Sequence, residues 1–210
     1  MVPILALIFL SGCGQQEAAT TTTTSTTTTT TYASYFPLIT GRVITYEVMT
    51  HSETVDAATH QFIVTDETTF ETWQYAGLVS LTSTLEVFKI NVILGGSSSL
   101  NYYREDSSGV YFYGSGSQPT IESEVLLKYP LAVGASWESG TIFGSNEVVA
   151  EGTVETSAGN FNCKKVSYII IPGAWEYRWF AKDIGLIKEF SGYAGVGNLW
   201  TSREVLSKNF

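Results

Sequence analysis

The chain has 210 residues, 44% of them hydrophobic, 15% charged and 13% aromatic, with a formal net charge of −9. An acidic surface repels phosphate backbones, which excludes nucleic acid as a partner, and it offers no polybasic grip on anionic lipid. Only two cysteines are present, Cys13 and Cys163, too few for a disulfide framework if one of them is modified.

Met1 to Leu10 is an apolar run. It falls well short of the roughly 20 residues that span a bilayer, and it reads instead as a signal-peptide core, although no Lys or Arg opens it. Leu10-Ser11-Gly12-Cys13 follows directly. This resembles the lipobox of bacterial lipoproteins, whose cysteine is diacylated before cleavage and then begins the mature chain. The resemblance implies a membrane partner through lipid on Cys13 and an extracytoplasmic domain. Gly14, in place of Asp after the cysteine, resembles outer-membrane sorting in diderm bacteria. Residues 1–12 are thus expected to be a signal peptide and 13–31 a linker. Thr20 to Thr31 is threonine except for Ser25, without apolar periodicity, so a disordered tether is expected. Twelve such residues reach about 20 Å.

From Tyr32 onward the pattern is that of strands and turns. Ile44, Tyr46 and Val48 alternate with Thr45 and Glu47, the period-2 signature of a half-buried strand. Phe62 and Val64, then Phe70 to Tyr75, continue in extended style. In Leu85 to Leu94 both parities carry apolar residues, so that strand is covered on both faces or lines a cavity. Gly95 to Ser99 reads as a turn or loop. Asp106-Ser107-Ser108-Gly109 and Ser157-Ala158-Gly159-Asn160 read as hairpin turns. Ile121 to Leu127 is a further strand candidate. Trp175, Tyr177 and Trp179 share one face, and Lys182 to Gly185 turns that strand into Leu186 to Phe190. A last strand covers about Leu199 to Leu206. Some twelve strand-like segments without a long amphipathic helix predict one all-β domain over 32–210. An antiparallel meander curled into a half-barrel or barrel is expected, with a β-sandwich as the alternative.

Phe36-Pro37-Leu38 with Gly41 is echoed, 93 positions on, by Tyr129-Pro130-Leu131 with Gly134. Either the domain is internally duplicated or one turn chemistry is used twice. The opening motif, together with Ala158-Gly159-Asn160-Phe161-Asn162-Cys163, Trp179-Phe180-Ala181 and Gly185-Leu186-Ile187-Lys188, resembles a group of uncharacterised bacterial secreted proteins and lipoproteins. The usual Trp of their opening motif is replaced here by Ile44. The resemblance implies a secreted β-rich domain, a curved sheet similar to lipoprotein carriers. It brings no catalytic residues.

No motif calls for a cofactor, and no Gly-x-Ser-x-Gly elbow is present. His51 and His60 could share a metal with Glu53 or Asp56 only if a hairpin joined them, and two solvated residues explain them more simply. Glu122 and Glu124 share a strand face, but a solvated face accounts for them without glycosidase chemistry. Cys163 reads as a small buried strand residue. The aromatic set Trp175, Tyr177 and Trp179 reads as core, as a cavity wall or as a stacking platform for sugars. Tyr111 and Tyr113, with Tyr102 and Tyr103, would extend that surface. These five, Trp175, Tyr177, Trp179, Tyr111 and Tyr113, are the candidate ligand-facing residues. The expected function is a lipid-anchored, non-enzymatic envelope lipoprotein binding an apolar or amphiphilic ligand in a curved sheet. An envelope protein–protein or glycan interaction module is the alternative, and a hydrolase a distant third. Replacing Cys13→Ala is expected to move the protein from the membrane to the soluble fraction. A variant that still partitions with membranes would rule out the lipid anchor.

Overall fold

The computed structural model describes residues 32–117, 119–138, 145–168, 173–195 and 197–210. The expected signal peptide, Cys13 and the expected linker lie outside the described residues. Twelve strands follow one another: β1 (Val43–Val55), β2 (Phe62–Ser80), β3 (Glu86–Leu94), β4 (Ser97–Asp106), β5 (Gly109–Ser115), β6 (Glu124–Lys128), β7 (Ser136–Glu138), β8 (Ser145–Thr156), β9 (Gly159–Tyr168), β10 (Ala174–Ala181), β11 (Gly185–Gly195) and β12 (Gly197–Lys208). They form one antiparallel sheet in the order β6-β5-β4-β3-β2-β1-β12-β11-β10-β9-β8-β7. The sheet curls until its edges, β6 and β7, meet. The expected meander is therefore a nearly closed barrel, and the sandwich is set aside.

The edges meet through side chains. Trp137 Nε1 donates to Val125 O at 3.2 Å, Asn146 Nδ2 to the same oxygen at 3.5 Å, and Tyr168 OH to Leu126 O at 3.0 Å. Buried backbone carbonyls must find donors, and β6 finds them on three different strands.

Inward parity follows the alternation of β1: Ile44, Tyr46 and Val48 are buried. Phe88, Ile90 and Val92 face inward on β3, while Val87 on its other face packs with Tyr102 and Tyr113 in a second apolar cluster. That strand is indeed covered on both sides. The sequence reading needs three corrections. β2 is one continuous strand of 19 residues, because its polar stretch from Thr65 to Thr69 pairs with β1 through the same ladder. Gly95 and Gly96, both at positive φ, make a two-residue turn, so Ser97–Ser99 belong to β4. β6 starts only at Glu124, leaving Ile121 exposed.

The echoed motifs have matching geometry. Arg42 N bonds to Ile39 O at 3.3 Å, and Ala135 N to Ala132 O at 2.9 Å. Gly41 (φ 86°) and Gly134 (φ 87°) occupy the third position of these turns, the one that requires a left-handed residue. Gly41 N then bonds to Tyr75 O, and Tyr75 N to Arg42 O. Gly134 N bonds to Val148 O, and Val148 N to Ala135 O, in the same pattern. Ile44 and Trp137, three residues past each glycine, are both buried. Each motif thus begins a run of six strands, β1–β6 and β7–β12.

The first motif also closes one end of the barrel. Phe36 packs against Tyr103, Trp73 and Phe180, with ring centroids 4.9, 6.2 and 6.4 Å away. Its segment is pinned by Glu105, which accepts from Ser34 Oγ at 2.7 Å and from Tyr129 OH at 2.5 Å. A Cβ added at Gly41 or Gly134 would meet nothing within 4 Å. Gly41→Ala and Gly134→Ala should therefore each cost only the left-handed backbone penalty, about 1–2 kcal/mol. Urea unfolding should give the two variants similar losses. Clearly unequal losses would show that the two turns are not equivalent.

Candidate functional site

Above Phe36 the barrel holds a cavity of about 500 Å³ that is partly open to solvent. Its lining includes the aromatic residues Trp73, Tyr103, Phe112, Tyr168 and Phe180. Across it runs a chain of charges. Register explains the arrangement: Arg203 on β12 lies opposite Glu189 on β11, which lies opposite Arg178 on β10. Directly opposed charges of alternating sign attract on one sheet face. Arg203 Nη1 is 3.0 Å from Glu189 Oε2, and Arg203 Nη2 is 3.0 Å from Glu71 Oε2. Arg178 Nε is 3.1 Å from Glu189 Oε2 and 2.5 Å from Glu176 Oε1. Trp73 Nε1 donates to Glu71 Oε1. The guanidinium groups also lie near ring faces, Arg178 4.8 Å from the Tyr168 centroid and Arg203 5.9 Å from that of Trp73.

The pairing is incomplete. Arg178 Nε and Glu176 Oε1 are in contact but poorly aligned, so neither makes a directed hydrogen bond, and Arg203 Nε has no partner among the described residues. Burial disfavours charge on Arg178, yet Glu189 and Glu176 outweigh it and hold its pKa above the ordinary value. Arg203 behaves likewise, with Glu189 and Glu71 outweighing burial. Glu176 goes the other way: burial raises its carboxyl pKa, Arg178 opposes the rise, and nearby Glu189 adds to it. Burial pushes Tyr103 up to about 12, so that ring stays neutral.

None of the five candidate ligand-facing residues lines this cavity. On β10 the inward parity is Glu176, Arg178 and Phe180, so Trp175, Tyr177 and Trp179 project from the outer face. Lys165 Nζ caps Tyr177 at 3.9 Å and Trp179 at 5.0 Å from the ring centroids. Trp175 lies over Gly192, its partner on β11, where a Cβ would come within 2.4 Å of the indole. Tyr111 and Tyr113 belong to the outer apolar cluster with Val87 and Tyr102. Of the four tyrosines considered, Tyr103 alone lines the cavity. The charged residues Glu71, Glu176, Arg178, Glu189 and Arg203 were missed, because alternation of aromatic with charged residues assigns the aromatics to the interior.

The histidines do not converge. His51 Nδ1 is 2.7 Å from Asp66 Oδ1 and its Nε2 is 3.3 Å from Glu53 Oε1, and its ring stacks on Trp200 at 5.0 Å. The hydrogen bond to Asp66 raises its pKa, burial opposes the rise, and the hydrogen bond to Glu53 adds to it. His60 sits in the β1–β2 turn at φ 56°. Among the described residues no three His, Cys, Asp or Glu side chains are grouped to hold a metal. Cys163 is buried, and burial pushes its thiol pKa up to about 12, so it is held as the neutral thiol.

Removing the shared acid should expose how costly the buried charges are. Glu189→Gln removes one buried contact from each arginine, leaving Arg178 with Glu176 alone and Arg203 with Glu71 alone, and should destabilise the fold by about 3 kcal/mol in urea unfolding. Glu151→Gln, which breaks the outer Lys164–Glu151 pair, should cost less than about 1 kcal/mol. Equal losses would show that the inner pairs are as well solvated as the outer one.

No protein-family model and no curated protein sequence matches the chain. Solved structures do. A protein of Bacteroides fragilis, predicted to be exported and described as having a YmcC-like fold, is 16% identical with a TM-score of 0.55, over 85% of this chain and 100% of that one. A predicted lipoprotein of Parabacteroides distasonis is 12% identical with a TM-score of 0.48, over 84% of this chain and 99% of that one. At such identity the first likeness is one of fold: the chain has the all-β architecture of the Bacteroides fragilis protein.

Proposed function

We propose that this protein is an extracytoplasmic lipoprotein, anchored through lipid on Cys13, whose barrel binds a small amphiphilic ligand without catalysis. The observation that carries the reading is the cavity of about 500 Å³ with an aromatic wall and a row of charged groups. Its volume lies within the range of small-molecule pockets, and the mixture of apolar surface with a few convergent polar groups is what such pockets show. Charged side chains hold the interior open where an apolar core would fill it. The ladder's carboxylates are positioned against guanidinium groups, an arrangement suited to anchoring a guest. The Leu-Ser-Gly-Cys motif and the resemblance to bacterial secreted proteins and lipoproteins support the location. The name of the Bacteroides fragilis neighbour, a protein predicted to be exported, agrees with it.

A second reading has its own observation. The half-buried outer rings Trp175, Tyr177, Trp179, Phe190 and Trp200 lie on neighbouring strands, a surface suited to an envelope protein or a glycan. Lysine capping of Tyr177 and Trp179 satisfies part of that surface within the chain.

Mass spectrometry of lipid extracts from the purified protein tests the first reading. A stoichiometric amphiphile is expected, and it should be lost in Val92→Trp, which fills the cavity, while circular dichroism keeps its strand signature. A guest that survives this variant, or an empty protein that takes up no added amphiphile, would sink the cavity reading and leave the outer surface as the site.

A further inference from the structure

We infer that the cavity selects an amphiphile with a single positive charge, its ammonium group seated at Glu176 and its apolar body against the aromatic wall. This rests on the cavity being the binding site argued above. The charge balance comes first. Four carboxylates line the cavity, on Glu71, Glu124, Glu176 and Glu189, against the two guanidinium groups of Arg178 and Arg203. Glu124 is exposed and keeps its water. Glu71 has Trp73 and Arg203 as donors, and Glu189 has Arg203. The three inner carboxylates against two guanidinium groups leave one surplus negative charge, and Glu176, held only by its poorly aligned contact with Arg178, is the least well paired of them. Only 9% of it is exposed, it faces the cavity, and its Oε1 accepts no directed hydrogen bond despite the contact with Arg178.

A buried carboxylate without a matched donor is costly, and a guest that supplies both the donor and the charge relieves it. An ammonium supplies three N–H donors and one positive charge. A neutral guest would leave the surplus charge in place, and an anionic one would enlarge it. The unpartnered Nε groups of Arg178 and Arg203 do not reverse this. Arg178 Nε already lies against Glu176 Oε1 and Glu189 Oε2 and lacks only alignment, Arg203 Nε lacks an acceptor atom, and each guanidinium has a carboxylate within 3.1 Å, so neither changes the net surplus of one negative charge. The rings of Tyr103 and Phe112, which present negative faces, suit a cation as well as an alkyl chain. The groups facing Glu176 are Arg178 on its own strand, Tyr168 on β9, Glu189 on β11 and Arg203 on β12. Because burial raises the pKa of Glu176, protonation competes with the ammonium, and binding should weaken as the pH falls through that raised value.

The test compares three probes of equal chain length, decylamine, decanol and decanoate, each below its micelle concentration. The protein is the full chain carrying Cys13→Ala, which needs no detergent. Calorimetry is run in about 0.15 M salt, where the screening length of about 8 Å suppresses attraction by the acidic outer surface. Decylamine should bind at least about tenfold more tightly than either competitor, a difference of about 1.4 kcal/mol. Glu176→Gln should keep decanol binding and abolish the advantage of the amine. Should that variant fail to fold, the ranking on the unsubstituted cavity decides alone. Decanoate or decanol binding as tightly as the amine would overturn the charge inference while leaving the cavity reading standing. So would an amine preference that survives Glu176→Gln. If none of the three binds, both readings fall together.

Discussion

The interior of this barrel is organised by the need to compensate buried charge. Taking a carboxylate or a guanidinium out of water costs several kcal/mol per ion, even after relaxation. Five such groups project inward from β2, β10, β11 and β12, and they survive there because each lies within reach of the opposite sign. This fixes the registers of β10, β11 and β12 more sharply than apolar packing would. A slip of one residue would turn Arg178, Glu189 and Arg203 outward and bring Trp179 and Lys188 in. The same groups keep the upper interior from collapsing into a filled core. The filled part, around Phe36, Ile44, Tyr46, Phe180 and Val205, lies below them.

The outer face follows from that choice of parity. With Glu176 and Arg178 inside, β10 must present Trp175, Tyr177 and Trp179 outside, and the chain treats each as a local problem. Trp175 is received by Gly192, whose missing side chain leaves room for the indole. Tyr177 and Trp179 are covered by the aliphatic stem and ammonium of Lys165, since a lysine can lie along apolar surface while keeping its charge wet. Phe190 and Trp200 pack together, and Trp200 carries His51, whose nitrogens are in turn held by Asp66 and Glu53. These outer rings are thus shielded by near neighbours, in the pairs Tyr177–Trp179 and Phe190–Trp200, apart from the second cluster of Val87, Tyr102 and Tyr113.

Much of the fold was legible in the sequence. The alternation around Tyr46, the turns at Asp106 and Gly159, and the two-sided apolar pattern of Leu85 to Leu94 specify strands, hairpins and even a second cluster. The inner face of β10 was not legible because its aromatic residues alternate with charged ones, and a bulge on β11 hides which partners those charges meet. From the turn after Ala181, plain pairing would set Arg178 opposite Lys188, two like charges on one face. The register shifts by one residue between Trp179 and Phe180, and Arg178 then lies opposite Glu189. A bulge of that kind leaves no mark in composition or periodicity, yet it decides which residue of β11 each charge of β10 meets. β2 was divided for a related reason. Its polar middle is a strand because β1 supplies hydrogen bonds, whatever its own side chains prefer.

The two six-strand runs meet twice around the barrel, and the two junctions are built differently. At the first, β1 and β12 pair through a register of nine residues from Ile44 to Ser52. At the second, β6 and β7 are five and three residues long, too short for a comparable ladder. Among the described residues, the side chains of Trp137, Asn146 and Tyr168 take over the carbonyls of Val125 and Leu126. A typical hydrogen bond contributes about 1 kcal/mol net, so three of them hold the second junction far more weakly than the ladder holds the first. Val125, Leu126, Asn146 and Tyr168 also line the cavity. The weakest line along the barrel is therefore also a wall of its cavity, and separating the strands there would open the interior at lower cost than separating β1 from β12.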